Sequence, residues 1–111
     1  MSGLVVKQKL SYMLSGTSIS TPFSLLGFQP DPIQYIGILV KTSDTYILRI
    51  RDMSGNLITE KSGTGSGNYE IVTLGGNLNL TCPNIYILEG ESLSSISVYE
   101  MNLATLCLCA S

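Results

Sequence analysis

Two arginines and three acidic or amide side chains crowd into "YILRIRDMSGNLITE", residues 46–60, and their types admit either ion binding or simple charge pairing. Asp52, Ser54 and Asn56 place side-chain oxygens at every second residue, as the start of a calcium loop does, with Glu60 further on. Leu57 stands where such a loop needs its turn glycine, and no glutamate closes it at residue 63. A tight turn between strands is the simpler reading. Glu89 and Glu91 in "LEGES" are a carboxylate pair of the kind that runs hydrolysis, but they flank a glycine and are expected in solvent. The chain contains no histidine, which removes the commonest general base near neutral pH and with it the Ser-His-Asp and Cys-His arrangements.

Other motifs are weaker still. "SGTGSGN" has the glycines of a phosphate loop but not its Lys-Ser/Thr ending, and no helix follows, so it reads as a hairpin connection. "NLT" at Asn79 fits a glycosylation acceptor, which matters only in an exported chain. Cys107 and Cys109 lie two apart in a predicted strand, on one side but too far apart to bridge easily. Free buried thiols and a bridge from Cys82 to one of the pair both remain open, and without histidine a zinc site is a poor fit. No cofactor, metal or enzymatic activity is expected.

The elements that must position these residues are strands. Nearly every segment alternates with a period of two and is punctuated by Gly, Pro, Asn or Asp, so the chain reads as all-β. Predicted strands cover residues 4–14, 23–28, 34–41, 45–52, 57–61, 69–74, 77–82, 84–88 and 95–101, with "ATLCLC" last. Between them lie the turn candidates "SGTSISTP", "QPDP", "KTSD", "MSGN", "KSGTGSGN", "GGN", "CPN" and "EGES". So many short strands suit two packed antiparallel sheets, a β-sandwich occupying residues 1–111 as one domain. In "TYILRIRD", Tyr46, Leu48 and Ile50 share the core face while Ile47, Arg49 and Arg51 share the other; Ile96 and Val98 also point inward. A two- or four-residue loop around "SG" sets Arg49 opposite Glu60, and a loop centred on "GN" sets Arg51 there instead. The six tyrosines, Tyr12, Tyr35, Tyr46, Tyr69, Tyr86 and Tyr99, fall in or at the start of strands, where packing is the expected role for most.

Composition narrows the partners. Only 13% of residues are charged against 44% hydrophobic, so Ser, Thr, Asn and Gly must cover much of the surface, and a net charge of −2 gives little repulsion between copies. Assembly into something larger is expected. Six Lys and Arg, scattered from Lys7 to Lys61, form no basic stripe, so nucleic acid is not expected as a partner. The longest apolar runs, "IQYIGILV" and "LATLCLCA", are strand-sized and far below the roughly 20 residues of a membrane helix. Lysines interrupt the N-terminal apolar stretch, so a secretory leader is not expected either.

The run "YIGILVKTSDTYILRIRDMSGNLITEKSGTGSGNYEIVTL", followed by "NIYILEGESLSSISVYEM", resembles the galactose-binding-like jelly rolls of carbohydrate-binding modules and of many phage and viral structural proteins. The resemblance covers residues 35–101 and implies jelly-roll topology. Neither the sugar-stacking aromatics nor the calcium ligands of that group match residue by residue, so no site is carried over. Two functions follow as expectations. The first is a non-enzymatic structural subunit of a virus or phage particle, a minor capsid, cement or tail-associated protein located in the virion, or otherwise in the cytoplasm. In that role Arg49, Arg51, Glu60, Leu103, Leu106 and Leu108 are interface candidates, and the N-terminal strand or the tail "LATLCLCA" adds to a neighbour's sheet edge in a homo- or hetero-oligomer. The second is a carbohydrate-binding module, which requires surface tyrosines beside polar side chains converging on one pocket.

Overall fold

Alternation in the sequence translates directly into strand burial. In the computed structural model, which describes residues 2–25, 33–80 and 84–108, all secondary structure among the described residues is β. Six strands follow in order: β1 (Ser2–Ser24), β2 (Ile33–Thr42), β3 (Thr45–Asp52), β4 (Leu57–Thr64), β5 (Tyr69–Leu80) and β6 (Ile85–Leu108). Within β3 the buried residues are Tyr46, Leu48 and Ile50, and Ile47, Arg49 and Arg51 alternate with them on the outside, as expected from their period of two.

The spine of the fold is β6, 24 residues long. It pairs antiparallel with β1 along nearly its whole length, from Ser2 opposite Leu108 to Ser24 opposite Ile85. The other edge of β6 is divided. β3 takes residues 86–92 and β2 takes residues 96–104, while β4 and β5 extend β3 and β2 respectively. The β1–β6 ribbon therefore runs through two half-sheets, β4-β3-β6-β1 and β5-β2-β6-β1, whose inner faces share one core. Leu48, Ile50 and Leu88 come to it from the first, Ile36, Ile38, Leu74, Ile96 and Met101 from the second, and all are essentially inaccessible to water. On the open side, the Lys61 ammonium of β4 donates to the Thr73 carbonyl of β5 at 3.2 Å and ties the two edges together.

Bulges reconcile long strands with a bent ribbon. Register slips in β1 between Val6 and Gln8, Ser11 and Leu14, and Gly16 and Ser18. In β6 the inward phase changes from Ile96 and Val98 to Met101 and Leu103, so Tyr99 and Glu100 both lie off the core face. Gly90 is needed where the ribbon is tightest. A Cβ there would stand 3.0 Å from Ile19 Cγ1 and 3.2 Å from Leu48 Cδ2.

Three expectations are corrected. The nine or ten short strands are six among the described residues: "SGTSISTP" lies wholly within β1, "GGN" within β5 and "EGES" within β6. Ser, Thr and Gly there are compatible with extended chain, and the ladder satisfies backbone groups that a turn would otherwise have used. Leu103 is wholly buried in the core and presents nothing to a neighbour. The tail is also not a free strand, since Leu106 and Leu108 pair in register with Leu4 and Ser2 of the same chain. "QPDP", Cys82 and Cys109 lie outside the described residues, and the Cys107 side chain is likewise not described.

Candidate functional site

The sequence directs attention first to Arg49, Arg51 and Glu60, and the β3–β4 register decides their pairing. A four-residue connection, "MSGN", sets Arg49 opposite Glu60. Arg49 Nε donates to Glu60 Oε2 at 2.7 Å, and its Nη1 reaches Glu91 Oε1 at 3.2 Å. Arg51 turns to Glu89 at 2.8 Å and donates to the Gly55 carbonyl at 3.2 Å. The hydrogen bond to Glu60, reinforced by Glu91, holds the Arg49 guanidinium still more firmly in its charged form. Glu89 and Glu91, expected as solvated turn residues, are instead strand residues of β6 bound to these arginines, with Gly90 buried between them. Two guanidinium groups and three carboxylates thus satisfy one another on the outer face of β3. Such an array stiffens a surface, and it leaves no free acid–base pair there.

The loop that resembles a calcium site is occupied by its own hydrogen bonds. Asp52 Oδ1 accepts from the Ser54 and Asn56 amides, both at 2.9 Å, while Oδ2 accepts the Asn56 side-chain amide at 3.1 Å. These donors, those of Asn56 foremost, hold the carboxyl below its ordinary range. Gly55, at φ 89°, supplies the left-handed residue of the turn.

A different constellation lies on the outer face of the β5-β2-β6 half-sheet. The strands flanking β2 contribute Tyr69 and Tyr99, whose rings meet at 6.0 Å between centroids and 66° between planes. Each ring is nearly half exposed, 49% and 47%. Since β5 and β6 lie on opposite sides of β2, the rings must meet above it. Ile71, paired with Leu39 and 66% exposed, extends the apolar surface beyond Tyr69. Lys41 pairs with Tyr69 on one side and Ser97 on the other, and its ammonium stands 5.5 Å from the Tyr69 ring centroid. A shallow cleft of about 250 Å³ opens here, lined by Lys41, Thr42, Ser43, Tyr69, Ser95 and Ser97 together with Gly67.

Its wall is organised by Thr42, one of two buried polar residues among those described. Ser92 Oγ donates its single proton to the Thr45 carbonyl at 2.9 Å, so in the 3.0 Å contact between the two hydroxyls Thr42 is the donor. Thr42 Oγ1 also accepts from the Asp44 amide at 3.4 Å, and its carbonyl accepts from the Gly67 amide at 2.8 Å. One residue therefore holds residues 43–44, residues 65–68 and the β6 bend in mutual position. Gly65 makes this possible, because a Cβ there would fall 2.0 Å from the Thr42 carbonyl oxygen.

Two larger clefts have less to offer a ligand. One, about 500 Å³, is lined by Ile47, Ser62, Thr64, Glu91, Ser92 and Leu93, and its carboxylate is held by Arg49. The other, about 530 Å³, contains Asp52 and Asn84 with the buried Tyr86, and the Asp52 oxygens are already used.

No protein-family model matches the chain, and no curated protein matches it. Among solved structures it is similar to CsCBM6-3 from Clostridium stercorarium, determined in complex with cellobiose, at a TM-score of 0.53 and 13% identity over 91% of this chain and 92% of that one. The likeness is one of fold, an antiparallel jelly-roll β-sandwich. A second structure, TmCBM61 in complex with β-1,4-galactotriose, aligns at a TM-score of 0.47 and 14% identity over 96% of this chain and 81% of that one.

Sequence reasoning singled out the arginines and missed this site. It expected core and sheet-face packing for most tyrosines; Tyr46 and Tyr86 are buried, while Tyr69 and Tyr99 pack on each other on the outer face and stay about half exposed. A signal was present for Tyr69. In "YEIVTL" it falls out of phase with Val72 and Leu74 and therefore faces away from the core.

Proposed function

We propose that the chain is a non-catalytic carbohydrate-binding domain whose ligand seats on the Tyr69–Tyr99 face. The observation that carries this reading is the exposed tyrosine pair beside the hydroxyls of Ser43, Ser95 and Ser97, the convergence of aromatic and polar groups that a sugar needs. Pyranose C–H faces pack on tyrosine rings, and the sugar hydroxyls then exchange hydrogen bonds with side chains at the ring margin. The jelly-roll likeness to a module solved with cellobiose supports the same reading. The other expectation, a structural subunit of a virus or phage particle, rested on sparse charge, a Ser/Thr-rich surface, the absence of histidine and the same resemblance, and the similar solved structure is a carbohydrate-binding module.

The test is binding of soluble β-linked oligosaccharides to the whole chain, followed by heteronuclear NMR. Perturbations confined to Lys41, Tyr69, Ser97 and Tyr99 are expected. Perturbations centred on the Arg49–Glu91 face would place the ligand elsewhere.

A further inference from the structure

The basic side chains that the structure describes, those of Lys9, Lys41, Arg49, Arg51 and Lys61, divide unevenly. Lys9 is bound to Glu100 at 3.0 Å, Arg49 to Glu60 and Glu91, Arg51 to Glu89, and Lys61 to the Thr73 carbonyl. Lys41 alone among them has no oxygen partner, and it stands over the Tyr69 ring at the mouth of the cleft. The carboxylates that neighbour the two tyrosines in sequence are engaged elsewhere. Glu100, beside Tyr99, is held by Lys9, while Glu70, next to Tyr69, takes the Ser66 hydroxyl. An exposed lysine gains only modestly from a ring face, so its charge remains available to a ligand.

From this geometry we infer that the site prefers an anionic sugar, one whose ring carries a carboxylate or sulfate substituent that Lys41 meets. The inference rests on the glycan-binding reading and specifies the ligand's charge. A pyranose seated on the tyrosines projects such a substituent from its ring edge, roughly in the ring plane. Lys41 sits between Tyr69 and Ser97 in the strand ladder, and its ammonium stands over the Tyr69 ring 5.5 Å from the centroid, where it can meet the substituent of a sugar packed on the neighbouring Tyr99 ring. The ammonium is a compact charge with three donors, and it can meet either oxyanion without the planar match a guanidinium would impose. The hydroxyls of Ser95 and Ser97 line the same cleft and complete the polar side.

The test compares three probes of one backbone: a neutral β-1,4-linked glucose trisaccharide, the same trisaccharide oxidised to a carboxylate at one C6, and the same bearing a C6 sulfate. Titration calorimetry on the whole chain and on Lys41→Met should show at least one charged probe bound about three- to tenfold tighter than the neutral one by the wild type at low ionic strength. Whichever charged probe gains identifies the oxyanion. The margin, read within each protein as the ratio of charged-probe to neutral-probe affinity, should shrink in about 0.5 M salt and vanish in Lys41→Met. Equal binding of all three probes by the wild type, or a margin that survives in Lys41→Met, would overturn the inference and leave the glycan-binding reading standing. Binding of none of the three would overturn both.

Discussion

Tyr69 and Tyr99 belong to strands that do not pair with each other, yet their rings meet 6.0 Å apart above the strand between them. Holding two large, half-exposed rings against each other on the outer face does little for folding, because neither contributes to the buried core. Tyr69→Ala and Tyr99→Ala are therefore expected to change unfolding free energy by no more than about 1 kcal/mol each. Chemical denaturation would show it. A loss of several kcal/mol would mean that the pair is structural.

Thr42 should behave in the opposite way. Thr42→Val keeps the shape and removes a buried hydroxyl that serves both Ser92 and the Asp44 amide, leaving the two groups to find other partners. A cost of about 1–3 kcal/mol is expected. It should be accompanied by faster exchange of the Asp44 amide, which the hydroxyl accepts from, while the Gly67 amide, held by the Thr42 carbonyl, changes less. Unchanged exchange at Asp44 would remove Thr42 from its organising role.

The Arg49–Glu60 contact is short, but Glu60 is 44% exposed, so solvent screens it. A double-mutant cycle with Arg49→Ala and Glu60→Ala should give a coupling of about 0.2–1 kcal/mol that falls as salt rises. Glu91 complicates the single substitutions, since it remains beside Arg49 when Glu60 is removed. The cycle should therefore be run in a Glu91→Gln background as well, where a larger coupling is expected.

Asp52 gives the hairpin turn a pH dependence of definite sign. Its folded-state pKa lies below the ordinary 3.8 because Asn56 and the turn amides donate to the carboxylate. The stability it contributes is present above the unfolded pKa and is lost as pH falls through the folded one. Asp52→Asn should thus show a shallower loss of stability below about pH 4 than the wild type. Superimposable acid limbs in the two proteins would contradict the assignment.

The parts of this fold that could be read in the sequence are those encoded within a few residues. Tyr46, Leu48 and Ile50 declare their face by alternation, and "MSGN" is legible as a turn, but the sequence leaves two registers open and only the structure sets Arg49 opposite Glu60. The pairing of Ser2 with Leu108 is of another kind, because nothing local to either end specifies a partner at the far end of the chain. The continuity of β1 through "SGTSISTP" was equally hidden. Ser, Thr and Gly suit turns and exposed strands alike, and only the ladder with β6 decides between them. The site was hidden for both reasons: Tyr69 is legible as outward from its phase, whereas Tyr99 reaches the same surface only through a bulge in β6 that has no sequence signature.

The most direct measurement is the affinity of the whole chain for a β-linked oligosaccharide panel, neutral and charged, compared with the Tyr69→Ala/Tyr99→Ala double variant under identical conditions. Saturable binding by the wild type and a loss of about tenfold or more in the folded double variant are expected. Absence of binding to every glycan, or equal binding by the double variant, would contradict the assignment of this face as the sugar site.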